Sequence, residues 1–84
     1  DLVLINGERV FVVEVKYRVH PRDLTRLLER KGPNFRRLFP EYAGYRLQLG
    51  LATFSIDDPL REEALRRGVV VLQRRGNVIE TLAA

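Results

Sequence analysis

The sequence predicts an α/β layered domain, a sheet with flanking helices, on three observations. An Asn6-Gly7 turn separates two β-branched, apolar runs, the strongest short-range hairpin signal. Pro21 and Pro59 stand where the first turn of a helix tolerates proline, each opening a segment with helical signals. The resulting order, β-β-α-(α)-β-α-β-β, joins an antiparallel opening to β-α-β units.

Taken in order, DLVLI-NGER-VFVVEVKY gives strands at about 1–5 and 9–17. Val19-His20-Pro21 breaks that pattern, and a helix follows with Leu24, Leu27 and Leu28 on one face. His20 reads as a cap or a surface residue. Gly32-Pro33 is expected to end this helix, with a short helical piece from Asn34 to Leu38 before Pro40. Tyr45 to Phe54 reads as a strand. Asp58 is the expected N-cap of a helix from Pro59 to Arg67, stopped by Gly68 at C′. Val69 to Gln73 and Asn77 to Leu82 are the last strands, around an Arg74-Arg75-Gly76 turn.

With 84 residues the chain is one small domain without repeat or linker, able to hide only about 60–65% of its unfolded surface. It therefore has room for one modest core and one site. Cysteine is absent, which excludes a disulfide framework, a Cys-ligated zinc site and thiol catalysis. No apolar run approaches the roughly 18 residues of a spanning helix, and no signal-peptide pattern opens the chain, so no membrane partner and a cytoplasmic location are expected. Methionine is also absent and the chain opens at Asp1, which reads as a fragment.

Fifteen basic residues against 11 acidic ones leave a net charge of +4, compatible with an anionic partner. Thirteen of the basic residues are Arg, so Lys16 and Lys31 are conspicuous.

The second strand is inconsistent with a purely structural role. Side chains alternate, placing Val10, Val12, Glu14 and Lys16 on one face and Phe11, Val13 and Val15 on the other. Both faces are apolar through Val13, as in a central strand covered on both sides. A carboxylate and an ammonium then appear at the strand's end, where burial is costly unless they are paired, solvated or metal-bound. A hairpin centred on Gly7-Glu8 sets Asp1 opposite Glu14; one centred on Asn6-Gly7 sets it diagonal. Either register puts Asp1 on the face of Glu14 and Lys16. Two adjacent carboxylates repel when both are ionised, which favours a bound divalent cation or a raised pKa on one of them, and for a cation hard oxygen ligands select Mg²⁺ or Mn²⁺.

Asp1, followed by Glu14-Val15-Lys16 on the next strand, resembles the D…(D/E)-x-K signature of the PD-(D/E)xK nuclease superfamily, the restriction-endonuclease-like fold. The run through REEALRRGVVVL, with Ala64 and then Gly68-Val69-Val70-Val71, looks most like a poorly characterised nuclease-like family within it. The resemblance implies a metal-dependent endonuclease that hydrolyses DNA phosphodiester bonds. It implies Asp1, Glu14 and the backbone carbonyl of Val15 as Mg²⁺ ligands. Lys16 would orient the attacking water or stabilise the pentacoordinate charge. The superfamily core usually begins with a helix and a strand ahead of the Asp, so this chain is expected to lack both and to be an N-terminally truncated domain.

Arg22, Arg26 and Arg30 recur every four residues as a row of like charge away from the leucine face, and Arg36 and Arg37 follow. All five are candidate phosphate contacts. The bland alternative is a solvated face on which Asp23 and Glu29 pair with the arginines. Tyr17 is expected at the rim of the site, or as an ordinary strand aromatic. Competing readings of the whole chain are a Holliday-junction-resolvase-like homodimer with two sites across a four-way junction, and a non-catalytic nucleic-acid-binding or assembly module. No P-loop, zinc histidine pair or nucleophilic triad is present in the sequence.

Overall fold

The computed structural model describes residues 2–83. It shows a mixed α/β domain whose single sheet has the strand order β1-β2-β3-β4-β5. The strands are β1 (Leu2–Asn6), β2 (Arg9–Arg18), β3 (Arg46–Ser55), β4 (Val70–Arg75) and β5 (Val78–Leu82). Antiparallel hairpins flank a parallel centre, β2 with β3 and β3 with β4. The first hairpin pairs Asn6 with Arg9, so its turn is Gly7-Glu8. Gly7 has φ +61°, the left-handed conformation that a two-residue turn with glycine first requires. The second hairpin pairs Arg75 with Val78, so its turn is Gly76-Asn77 rather than the expected Arg74-Arg75-Gly76.

Helices α1 (Pro21–Arg26), α2 (Gly32–Leu38) and α3 (Asp58–Arg66) supply the parallel crossovers. Pro21 opens α1 with His20 as its N-cap, and Gly68 follows α3 with φ +77°. The N-cap of α3 is Asp57 rather than Asp58, which places Pro59 at the second helical position.

Contrary to expectation, Gly32-Pro33 does not end the first helix. A π-helical turn, Leu27–Lys31, joins α1 directly to α2. Proline has no N–H and its ring crowds the carbonyl four residues earlier; the wider turn, closed by Gly32 N–H to Leu27 O, accommodates both. Gly32 also lets the helix approach the sheet, since a Cβ there would lie 3.1 Å from Leu49 Cδ1.

The core lies on one face of the sheet. Leu24 and Leu27 from the first crossover and Ala64 from α3 pack with Leu51 and Val71 of the sheet. Phe35 of α2 continues this layer over Val10 and Val12. All helices therefore cover the side bearing Val10, Val12, Glu14 and Lys16. The opposite side is only partly closed, which corrects the expectation of a β2 covered on both faces. Val13 is buried beside Gly50, but Val15 is 55% and Tyr17 79% exposed.

Candidate active site at the end of β2

The parallel register carries the covered face onto β3 and β4. Glu14 stands beside Leu51, and Lys16 beside Thr53, at the carboxyl-terminal half of β2. That end of parallel strands is where open α/β sheets bind ligands. Glu14 is 6% exposed and Thr53 is buried with it. Thr53 Oγ1 lies within hydrogen-bond distance of the Tyr17 and Ser55 carbonyls, at 3.0 and 2.9 Å, and accepts the Ser55 N–H at 3.0 Å. Its hydroxyl thus ties the ends of β2 and β3 together next to Lys16.

Local structure at the start of α1 delivers a second carboxylate. After Arg18 the chain turns through Val19 and His20, and Pro21 enters the helix. Asp23, at the third helical position, turns back so that its Oδ2 accepts the His20 N–H at 2.8 Å. The capping geometry holds Asp23 buried at 4% exposure and brings its Oδ1 to 3.8 Å from Lys16 Nζ. Asp23 is therefore no partner for the Arg22, Arg26 and Arg30 row, the role given to it in the solvated-face alternative.

Lys16 Nζ is also 3.7 Å from Glu14 Oε1. The other lysine reaches the same carboxylate, with Lys31 Nζ 2.6 Å from Glu14 Oε2. The result is a row of alternating charge, Asp23, Lys16, Glu14, Lys31, in which two ammoniums offset two buried carboxylates. Among the described residues Glu14 Oε2 is nonetheless a buried oxygen that accepts no hydrogen bond of good geometry, so the Lys31 contact is a close charge pairing.

Of the residues expected from sequence, Glu14 and Lys16 are brought together on the covered face. Val15 lies between them, in register with Ala52 of β3. Asp1, the other expected metal ligand and catalytic residue, lies outside the described residues. The β1 ladder is described as far as Leu2 opposite Val13, one residue short of Glu14 on β2. Asp23 and Lys31 are additions. The signals for them are an acid three residues after the N-cap, and the rarity of lysine in an arginine-rich chain.

The point at which a hard divalent cation would fit is the buried Oε2 of Glu14, which accepts no hydrogen bond of good geometry among the described residues and lies 2.6 Å from Lys31 Nζ. Among the described residues no group of three His, Cys, Asp or Glu side chains converges. Of the side chains expected to hold Mg²⁺ or Mn²⁺, Glu14 is among the described residues and Asp1 lies outside them.

The arginines divide. Arg22, Arg26 and Arg30 are exposed, on the same helical segment that carries Asp23 and Lys31. Arg36 is occupied structurally: its Nη1 lies 3.0 to 3.3 Å from the carbonyls of Tyr42, Ala43 and Tyr45. Arg37 donates to Asn34 Oδ1. Tyr17 is not at the rim of this site, because it points to the opposite face and packs on Phe54 with centroids 5.3 Å apart.

Among the described residues no helix is long and apolar enough to cross a membrane. Comparison of the chain with protein-family models, with curated proteins and with solved structures yields no match.

Proposed function

We propose that the chain is a metal-dependent nuclease of the PD-(D/E)xK kind, with a restriction-endonuclease-like fold, hydrolysing DNA phosphodiester bonds at Glu14 and Lys16. The observation that carries this reading is the burial of Glu14 beside Lys16 at the carboxyl end of a parallel strand, on the helix-covered face. Glu14 acts as a cation ligand, with Asp1 and the Val15 carbonyl as its proposed companions. Bound Mg²⁺ or Mn²⁺ supplies charge neutralisation at phosphorus and acidifies the attacking water. Lys16, held between two carboxylates, presents an ammonium to that water or to the developing phosphorane charge. Arg22, Arg26 and Arg30 offer phosphate contacts on the adjoining helix surface.

One observation favours a second reading, a non-catalytic nucleic-acid-binding or assembly module. The charge row balances itself with two ammoniums, as a purely structural network also does. Incubation with supercoiled, linear, single-stranded and four-way-junction DNA separates the two. Nuclease function predicts nicking or cutting in Mg²⁺ or Mn²⁺ that stops with EDTA. Binding without cleavage, weakened steeply by salt, selects the module instead.

A further inference from the structure

We propose that the open face of the sheet binds single-stranded DNA, whose bases stack on Tyr17 beside Phe54 and whose phosphates meet arginines at both ends of that face. The choice of DNA rests on the proposed function. The surface itself lies on the other side of the sheet from Glu14 and Lys16 and uses neither.

The strand registers decide what this face carries. Alternation through Val13 and Val15 brings Arg9 and Tyr17 of β2 to it, with Arg46 and Phe54 of β3 and Arg74 of β4. Among the described residues its charged strand positions are Arg9, Arg46 and Arg74, with no Asp or Glu. Arg9 and Arg46 are exposed and stand in register on neighbouring strands, an unfavourable juxtaposition of like charge. Neither makes an ion pair with a carboxylate of the described residues, and a bound phosphate would relieve their repulsion.

At the carboxyl ends of the strands lies a groove of about 570 Å³ lined by Val15, Tyr17, Phe54, Leu72, Arg74 and Ile79. That volume is within the range of about 300–1,000 Å³ in which small ligands are held. Tyr17 is 79% exposed, so its ring adds little to the core and is open to a partner. Phe54 supports it from one side, with ring centroids 5.3 Å apart, and the Arg74 guanidinium lies 5.3 Å over Phe54. Arg74 Nε also donates to the Gly76 carbonyl at 2.9 Å, which fixes the cation in place. Aromatic rings beside a guanidinium, with no carboxylate in the lining, suit unpaired bases that stack while their phosphates pair with arginine. From Tyr17 to Arg9 the face runs about 26 Å along β2, enough for at least about four nucleotides. A second copy docked face to face would match the apolar side chains but would bring the same arginines and no acid. A single strand of DNA supplies both rings and negative charge.

The test is a titration of fluorescein-labelled oligothymidine of about 12 nucleotides, read by anisotropy in EDTA. Wild type is expected to bind. Tyr17→Ala weakens binding at least about tenfold, whereas Tyr17→Phe, which keeps the ring, stays within about twofold. Arg46→Gln flattens the slope of log affinity against log salt by about 0.7, the loss of one phosphate contact on a single strand. The exposure of Tyr17 leaves the fold intact in Tyr17→Ala, which the unfolding midpoint checks. No binding by wild type, or Tyr17→Ala binding within about twofold of wild type, overturns the proposal. So does a dimer in sedimentation velocity that Tyr17→Ala dissociates, because a second copy then covers this face. EDTA separates the result from metal chemistry. Tyr17-dependent binding without Mg²⁺-dependent cleavage keeps this surface and removes the nuclease reading, and cleavage with Tyr17-independent binding does the reverse.

Discussion

Replacing Lys16 with alanine is expected to lower Mg²⁺-dependent DNA cleavage at least about 100-fold, the scale seen when one preorganised charge or donor is removed from a transition state. The loss falls on kcat rather than KM, because Lys16 is assigned to charge that develops during reaction and the arginine row to ground-state binding. The fold is expected to survive at reduced stability, because buried Asp23 keeps the His20 N–H but loses the Lys16 ammonium. The Lys16 side chain is 34% exposed, so water reaches the space it vacates, and Lys31 still compensates Glu14. Circular dichroism and the unfolding midpoint of the variant check this. Cleavage within a few-fold of wild type removes Lys16 from the chemistry.

Leu51→Ala carries the largest expected effect on stability, about 3 kcal/mol or more for a fully buried leucine. Leu51 is completely enclosed, with Leu27 from the helix above it and Val71 beside it, and it is the residue paired in register with Glu14. A domain of this size has only about 5–10 kcal/mol of stability, so the loss lowers the Tm by more than about 10 °C. Val15→Ala is the matched control, because Val15 is close to Glu14 in the sheet but lies on the open face. Its cost stays within about 0.5 kcal/mol. Comparable losses for the two variants contradict the one-sided core.

Much of this architecture is legible in the sequence where local chemistry decides it. Asn6-Gly7 marks the first hairpin, although the choice between its two registers depends on tertiary pairing and falls to Gly7-Glu8. The alternation of β2 places Val10, Val12, Glu14 and Lys16 on one face, and that face is the covered one. Gly68 ends α3 as a left-handed C′ residue. The failures occur where tertiary packing overrides a local rule. Gly32-Pro33 is a strong breaker by itself, yet a π-helical turn absorbs the proline and the missing Cβ fits against Leu49. The apolar side chains of Phe11, Val13 and Val15 suggest cover on both faces, but the crossovers of a sheet in sequential order both pack on the same side.

The candidate site was legible by halves for the same reason. Glu14 and Lys16 are two apart on one strand, so alternation alone places them together. Asp23 and Lys31 reach Glu14 and Lys16 through a helix cap and a π-helical turn, which no spacing rule on β2 encodes. Their residue types were the available signal. An acid at the third position after an N-cap folds back on the strand end, and a lone helical lysine among arginines meets a buried carboxylate.

Diffraction from crystals soaked in Mn²⁺, read in the anomalous signal, tests the central claim most directly. Metal chemistry at Glu14 predicts a peak within bonding distance of a Glu14 carboxylate oxygen. The absence of a peak there, at a Mn²⁺ concentration that supports cleavage, contradicts it.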